Sequence, residues 1–229
     1  MKILTFSYDD GTTQDVRLAQ LFHKYGMKAT FNLNSGLFGR ERELIRCGVP
    51  VRWDQVQAAD VKHIYAGHEV AAHTLTHPDL TKKSDEEIID QVENDRLALS
   101  ALCGYEVVGF AYPGGGVNYT DHVADVIREH TGVRYARTTV PTLDFAKQEN
   151  LFEFKPTIHH FPDWEQLFAT AERFLALPAE TDALFYVWGH SFEFDIYNDW
   201  DRFEEFLQMM AGKKDVQYLT NKEALLNME

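Results

Sequence analysis

Two pairs of residues in this sequence have types and spacing suited to metal chemistry. Asp9 and Asp10 are adjacent carboxylates that end a β-prone run and precede a glycine. Like charges at this range raise the pKa of one partner, and a bound cation removes the conflict. His73 and His77 lie four positions apart, which points both imidazoles the same way in a helical turn or a loop of similar pitch. One carboxylate and two imidazoles would hold a divalent ion and leave positions open for water and substrate.

Two further segments could complete a hydrolytic site. Tyr112, Pro113 and Gly114 follow one β-prone run, and His190 ends another. Each feature by itself is weak, because aspartate and glycine are common in turns after strands and the chain has 10 histidines. Their joint occurrence, each time at the end of an apolar run, points to chemistry. The glycines at 114 to 116 lack the lysine of a phosphate-binding loop, and they predict a close backbone approach to a ligand.

These segments resemble the motifs of the polysaccharide deacetylases of carbohydrate esterase family 4, the NodB-homology family. The matching segments occur in the family's order, and they are Thr5–Gly11, His73–His77, Phe110–Gly115 and Leu184–His190. The resemblance implies that Asp9 is the catalytic base and His190 the general acid. It also implies that Asp10, His73 and His77 bind the metal.

The activity implied by the resemblance is removal of acetyl groups from an N- or O-acetylated carbohydrate. A divalent ion would polarise the acetyl carbonyl and activate water, while Asp9 takes a proton and His190 protonates the departing amine or alcohol. Tyr112, Pro113 and Gly114 would form a wall of the substrate groove and supply a backbone N–H to the oxyanion. Zinc is the expected metal, and cobalt, nickel, iron and manganese suit the same ligands.

The chain departs from the family's pattern at two places. Many members carry an arginine where this chain has Ala111, and that arginine holds the catalytic aspartate. Arg134 and Arg137, on the next predicted strand, are the candidates for the same role. Asp163–Trp164 has the residues of another family motif, but we expect it to open a helix outside the site.

Other polar and aromatic residues near these segments have simpler explanations. His159 and His160 have no carboxylate or third imidazole at a matching spacing, so we expect a solvated or buried pair rather than a second metal site. Glu193 and Asp195 are the carboxylates close to His190 in sequence, and such a neighbour would keep the imidazole protonated. Aromatic residues around His190 are more often core than sugar contacts, and they are Trp188, Phe192, Phe194, Tyr197 and Trp200. Tyr112 is the favoured sugar contact.

Strands and helices alternate along the chain. Strands are predicted at Ile3–Ser7, Ala29–Asn32, Glu69–Ala72, Val107–Ala111, Tyr135–Thr138, Leu184–Trp188 and Val216–Leu219. Helices are predicted at Thr13–Tyr25, Trp53–Tyr65, Ser84–Leu102, Tyr119–Glu129, Trp164–Leu177, Trp200–Met210 and Asn221–Leu226. The segment Gly36–Pro50 is predicted to be a long loop at the rim of the site.

This alternation predicts an α/β fold with a parallel barrel or a doubly wound sheet. The candidate residues all lie at carboxyl ends of strands, which favours a barrel because barrels build their sites on that face. The family resemblance implies a distorted (β/α)7 barrel. We expect residues 1–229 to form a single catalytic domain of this kind.

Composition limits the classes of partner. The 229 residues are 45% hydrophobic and 25% charged, with a net charge of −14 that opposes binding to nucleic acid or anionic membranes.

No apolar run is long enough to span a membrane. The chain begins Met1-Lys2-Ile3 and enters its first predicted strand at once, which leaves no room for a signal peptide and favours the cytoplasm, unless an export signal has been removed. Cys47 and Cys103 are expected to be free thiols.

Three functions are compatible with these residues. We favour the metal-dependent deacetylase, which acts on an acetylated carbohydrate. An allantoinase-like hydrolase on the same scaffold, which opens a small cyclic amide, is the second. A non-catalytic carbohydrate-binding relative is the third: the intact Asp9, Asp10, His73, His77 and His190 oppose it, and the alanine at position 111 keeps it open. The oligomeric state cannot be predicted from the sequence.

Overall fold

A curled parallel β-sheet forms the centre of the computed structural model, which describes residues 1–226. The strands are β1 Lys2–Asp10, β2 Thr30–Leu33, β3 Glu43–Arg46, β4 Val49–Arg52, β5 Glu69–Ala72, β6 Gly109–Ala111, β7 Tyr135–Arg137, β8 Ile158–His159, β9 Ala183–His190 and β10 Val216–Tyr218. The helices are α1 Asp15–Lys24, α2 Val61–Ile64, α3 Asp85–Cys103, α4 Asp121–His130, α5 Trp164–Leu175, α6 Glu193–Ile196, α7 Trp200–Met210 and α8 Asn221–Leu226.

The strand order of the sheet is β7-β6-β5-β2-β1-β9-β8, and β10 pairs with the first residues of β1, before the segment of β1 that pairs with β2. All of these pairings are parallel. The register places Asp9 opposite Asn32 on one side and His190 on the other, and it places Ala111 opposite Arg137. Because parallel strands end at a common edge, the polar residues that end these strands meet on one face of the sheet.

The two outer strands of the sheet are joined through the segment 154–159. The Phe154 N–H donates to the carbonyl of Ala136 at 3.0 Å, and the Thr138 N–H donates to the carbonyl of Phe154 at 2.8 Å. A few residues later, the Thr157 N–H donates to the carbonyl of Tyr186 on β9 at 2.8 Å. These bonds curl the sheet toward closure, and the predicted distorted, seven-stranded barrel is confirmed.

Side chains on β1 alternate between two buried environments. Leu4, Phe6 and Tyr8 pack in the core between the sheet and its helices, whereas Ile3 packs in the cluster inside the barrel. Because successive side chains of a strand point to opposite faces, Asp9 shares the barrel side with Ile3. The strand's alternation therefore aims this carboxylate inward.

Capping residues mark both ends of α3. Ser84 accepts from the Glu87 N–H while the Glu87 side chain accepts from the Ser84 N–H, a capping box that opens α3. Gly104 ends the same helix with φ of 78°, a left-handed conformation that glycine adopts without a Cβ clash.

Within residues 1–226, no helix has both the length and the apolar character that crossing a membrane requires.

Two predicted elements are wrong. The helix predicted at Trp53–Tyr65 is confined to Val61–Ile64, preceded by a single 3₁₀ turn at Ala58–Asp60. The predicted loop Gly36–Pro50 contains the antiparallel hairpin of β3 and β4. Cys47 and Gly48 both have positive φ, which makes a tight two-residue turn that matches the twist of the flanking strands.

Candidate active site

Three predicted metal ligands meet at the carboxyl end of the barrel. The Oδ1 atom of Asp10 lies 3.6 Å from Nε2 of His73 and 3.6 Å from Nε2 of His77. Asp10 and His73 are buried, and His77 is half-buried. One cation could contact all three atoms, because these atoms all lie within 4.8 Å of one another.

Backbone turns in the left-handed region aim these ligands. Adjacent residues of a regular strand point to opposite faces, but Asp10 has φ of 80°, which turns its carboxylate to the same site as Asp9. His77 has φ of 58° in the loop after β5, so a loop rather than a helix brings it back toward His73. Asn34 holds this loop by donating to the carbonyls of His73 and Thr74 at 2.5 and 2.8 Å.

Hydrogen bonds leave one free acceptor on each of two ligands. Nδ1 of His73 lies 2.8 Å from the carbonyl of Ala111, so this nitrogen carries the proton and Nε2 keeps its lone pair. The Trp53 indole N–H donates to Oδ2 of Asp10 at 2.8 Å. Nε2 of His73 and Oδ1 of Asp10 are buried and have no hydrogen-bond partner among residues 1–226. Burial lowers the pKa of His73, but the Asp9 and Asp10 carboxylates outweigh burial and raise that pKa, so positive charge is favoured between these atoms. With His73 neutral, Nε2 and Oδ1 are two buried acceptors that face each other, which fits a bound cation.

Asp9 is paired with a buried arginine. Arg137 contacts both oxygens of the Asp9 carboxylate, and Asn32 donates to Oδ1 of Asp9 at 2.7 Å. Burial raises the pKa of Asp9, but Arg137 and the nearby imidazoles outweigh burial and hold the pKa below its usual range. Of the two candidate arginines, Arg137 contacts Asp9, whereas Arg134 is exposed. Because Arg137 is the cross-strand neighbour of Ala111, an arginine from β7 takes the place of one on β6.

His190 is paired with Glu193 across the first turn after β9. Nδ1 of His190 lies 3.2 Å from Oε1 of Glu193, whose Oε2 also accepts from the His190 N–H at 2.9 Å. Burial lowers the pKa of His190, but the Glu193 carboxylate, together with Asp10 and Asp9, outweighs burial and raises the pKa to about 9. The imidazole is therefore protonated at neutral pH, as a proton donor must be. Asp195 instead accepts from Gln14 and Trp200.

His159 is half-buried and His160 is buried, as expected of a solvated or core pair, and a carboxylate that has no matching spacing in the sequence lies beside them. Oε2 of Glu193 lies 2.9 Å from Nε2 of His159 and 3.8 Å from Nε2 of His160. The tertiary structure brings this carboxylate from a separate helix, so no sequence spacing reveals it. His160 stacks on Phe194 in the core, and burial lowers its pKa to about 3.

The role predicted for Tyr112 is contradicted. Its N–H donates to the carbonyl of Arg137 at 3.0 Å, its hydroxyl donates to Phe152, and its ring is fully buried against Tyr119. It therefore offers neither a groove wall nor a free N–H to an oxyanion. Pro113 has no N–H, so Gly114 supplies the next one, and that N–H has no acceptor among residues 1–226.

One cavity of about 550 Å³ connects these groups. Asp9, Asp10, His73, His77, Gly114, Trp188, His190 and Glu193 all line it. Pro113 and Gly114 also line a smaller neighbouring cavity of about 280 Å³. Among the aromatic residues considered as sugar contacts, Trp188 is the one that lines the large cavity, whereas Phe194 and Trp200 are core residues.

Some residues of the site carry little signal in the sequence. Asn32 and Trp53 contact the two aspartates, yet a lone asparagine in a strand and a tryptophan after a hairpin have no recognisable spacing. Glu193 was one of two carboxylates close to His190 in sequence, and only the turn geometry selects it. Asp163 accepts from the Gln166 N–H at the start of α5, outside the site, as expected.

Comparison with known proteins gives consistent similarities. A family model described as polysaccharide deacetylase matches residues 1–136. The chain is 26% identical over 153 residues to the peptidoglycan-N-acetylglucosamine deacetylase PgdA of Listeria monocytogenes, a match that covers 63% of this chain and 27% of that protein. The chain thus spans about a quarter of the length of the curated relatives that it matches.

Solved structures share the fold. A family 4 acetyl xylan esterase from Clostridium thermocellum, in complex with a cobalt ion, is 14% identical with a TM-score of 0.60, covering 99% of this chain and 91% of that one. A CE4 family pseudoenzyme from Bacillus anthracis is 20% identical with a TM-score of 0.59, covering 98% of this chain and 66% of that one. At these identities the similarity establishes the fold.

Proposed function

Because the chain belongs to the polysaccharide deacetylase family, we propose that it is a metal-dependent hydrolase that removes acetyl groups from an N- or O-acetylated carbohydrate. The observation that carries the proposal is that one cavity holds three kinds of group. These are the ligand trio (Asp10, His73 and His77), the carboxylate of Asp9 and the protonated imidazole of His190. The Listeria relative is named for an N-acetyl substrate, and the Clostridium structure is named for acetyl xylan. We favour zinc as the metal, and cobalt, nickel, iron or manganese suit the same donor atoms.

Asp10, His73 and His77 are the residues that would hold the metal. A divalent ion so bound supplies Lewis-acid polarisation of a carbonyl and acidification of water. The protein contributes the donor geometry: Trp53 orients Asp10, and the Ala111 carbonyl orients His73. Such supporting contacts fix the ligands before the metal arrives.

Asp9 is suited to take the proton of the attacking water. Its low pKa keeps it ionised at neutral pH, and its pairing with Arg137 and Asn32 fixes its orientation. His190 is suited to give a proton to the departing amine or alcohol, because Glu193 keeps it charged. A base and an acid with separated pKa values in one cavity are the arrangement that acyl hydrolysis requires. The Gly114 N–H is the backbone donor we assign to the oxyanion in place of that of Tyr112.

Acetate release tests this proposal. We would incubate the zinc-loaded protein with N-acetylglucosamine oligosaccharides, with O-acetylated xylan and with a cyclic amide such as allantoin. We expect acetate from at least one of the first two and no ring-opened product from the third. Ring opening without acetate would replace the proposal by the cyclic-amide function, and no reaction with any substrate would favour a binding role.

His73→Ala provides the matching loss-of-function variant. Removing one of three protein ligands should reduce bound metal, measured by elemental analysis, from about one equivalent to near zero, and turnover should fall at least about a hundredfold. Asp163→Asn, which changes a polar residue outside the cavity, is the control and should keep both properties. Full turnover by a metal-free His73→Ala protein would refute the proposal.

A further inference from the structure

Three arginines line the side of the active-site cavity formed by the β3–β4 hairpin. Arg40, Arg42 and Arg46 all contribute to the cavity wall, and all three are exposed. The cavity thus has a cationic side on a protein whose net charge is −14. Such a local reversal of charge needs a reason.

Strand alternation separates the charges of this segment onto two faces. Positions 40, 42, 44 and 46 line the cavity, whereas Glu41, Glu43 and Ile45 do not. The ladder extends beyond β3, because the carbonyls of Arg40 and Arg42 accept from the Gln55 and Trp53 N–H groups. Side chains at alternate positions of such a ladder share a face. The arginines therefore point toward the cavity and the glutamates away from it.

The guanidinium groups of this cationic face have no carboxylate partner in the part of the chain that the structure describes. Among residues 1–226, no carboxylate forms an ion pair with Arg40, Arg42 or Arg46, whereas Arg52 on the partner strand is paired with Asp54 and Glu41. Their donors face a cavity large enough for a saccharide, about 550 Å³. Unpaired guanidinium donors are suited to bidentate recognition of a carboxylate or a phosphate.

The hairpin is held in place above the metal site. The Arg42 guanidinium lies 5.5 Å from the centre of the Trp53 ring, and Trp53 in turn donates to Asp10. Leu44 packs against a buried cluster under the hairpin that includes Leu37 and Phe161. The cationic face is therefore a fixed neighbour of the ligand trio and not an isolated surface patch.

We infer that this face, defined by Arg40, Arg42 and Arg46, is an anion subsite of the deacetylase. It binds a carboxylate or phosphate group carried by the acetylated saccharide, on the reacting sugar or on an adjacent one. The inference rests on the proposed function for the reaction itself, and it adds the substrate's charge. It predicts a preference for acidic acetylated saccharides over neutral ones of the same length.

Binding and acetate release are measured separately to test the subsite. The ligands are a neutral N-acetylglucosamine tetrasaccharide and a tetrasaccharide of alternating N-acetylglucosamine and glucuronate. A second pair, N-acetylglucosamine with and without a 6-phosphate, distinguishes phosphate from carboxylate. Dissociation constants are measured by calorimetry at low ionic strength with the zinc-loaded protein, and acetate is measured in parallel.

The informative variant is Arg40→Gln/Arg46→Gln, which leaves the contact between Arg42 and Trp53 intact. Its control is Arg52→Gln/Arg128→Gln, which removes the same net charge from two arginines outside the cavity. We expect wild type and control to bind one of the anionic ligands about tenfold more tightly than its neutral counterpart. In the Arg40/Arg46 variant this preference should fall to about twofold, and in wild type it should shrink with added salt.

The two proposals fail in different ways. An anion preference that is absent in wild type, or equal in the Arg40/Arg46 variant and its control, overturns the subsite whatever the acetate assay shows. A retained preference without acetate from any saccharide overturns the deacetylase function and leaves the anion subsite in place. A preference for the phosphate ligand alone identifies the subsite as a phosphate site.

Discussion

The pairing of Glu193 with His190 leads to a pH-dependent effect of Glu193→Gln. The substitution keeps the shape of the side chain and removes its charge. In the folded protein, burial lowers the pKa of His190, and the Glu193 carboxylate, together with Asp10 and Asp9, more than compensates, giving about 9 against an ordinary 6.5. Without that carboxylate, burial is opposed only by Asp10 and Asp9, and the pKa of His190 should fall to about its ordinary value.

The size of the effect follows from the protonated fraction of His190. With a pKa of about 9, roughly nine tenths of the imidazole is protonated at pH 8, whereas with a pKa of 6.5 only about 3% is. If His190 acts as the acid, Glu193→Gln should lower kcat/KM about 30-fold at pH 8 and less than about twofold at pH 6. The alkaline limb of the pH profile should move to lower pH.

The assay is a pH profile of kcat/KM for acetate release between pH 5.5 and 9.5. NMR titration of the His190 imidazole in the metal-free protein gives the pKa independently of turnover. Asp195→Asn removes a charge two residues away, outside the cavity, and should leave both measurements unchanged. A loss of activity that is equal at pH 6 and pH 8 would refute the electrostatic role of Glu193.

Three further outcomes follow from the same contacts. Trp53→Phe removes the N–H that holds Asp10, so metal affinity should fall about 10- to 100-fold in a chelator competition titration, and an unchanged affinity would contradict this. Arg137→Ala leaves the Asp9 charge buried without its partner, so the free energy of unfolding in urea should fall by about 3–5 kcal/mol. Adding Asp9→Asn should largely restore it, and a loss below about 1 kcal/mol in Arg137→Ala would count against the pairing. Burial raises the pKa of Asp15 to about 7, so the stability that its protonated form contributes is lost as pH rises toward 7. The free energy of unfolding of the wild type should fall by up to about 1.4 kcal/mol per pH unit between pH 5 and 7 relative to that of Asp15→Asn. Curves of unfolding free energy against pH that run parallel for the two proteins would refute this.

The strands that carry the site were predictable because their patterns are local. The strand predicted at Ile3–Ser7 is the core of β1, and the one at Leu184–Trp188 is the core of β9. β-prone runs of this kind, with no charged residue, indicate a strand that is buried on both faces, whichever strands surround it. The hairpin in Gly36–Pro50 was missed because its strands are short and exposed, and its turn uses Cys47 at a positive φ, which a cysteine seldom adopts.

The sequence by itself determined the barrel and the residue types of the metal trio, Asp10, His73 and His77. Periodicity and strand-end position are local properties, and parallel strands must bring their carboxyl ends together. The tertiary structure decided which groups act on one another. Arg137 of β7 contacts Asp9 of β1, although β6, β5 and β2 lie between these strands in the sheet, and Glu193 contacts His190 across a turn. Hydrogen bonds and charge pairs depend on distances of a few ångströms between particular side-chain atoms, and only the folded backbone fixes those distances.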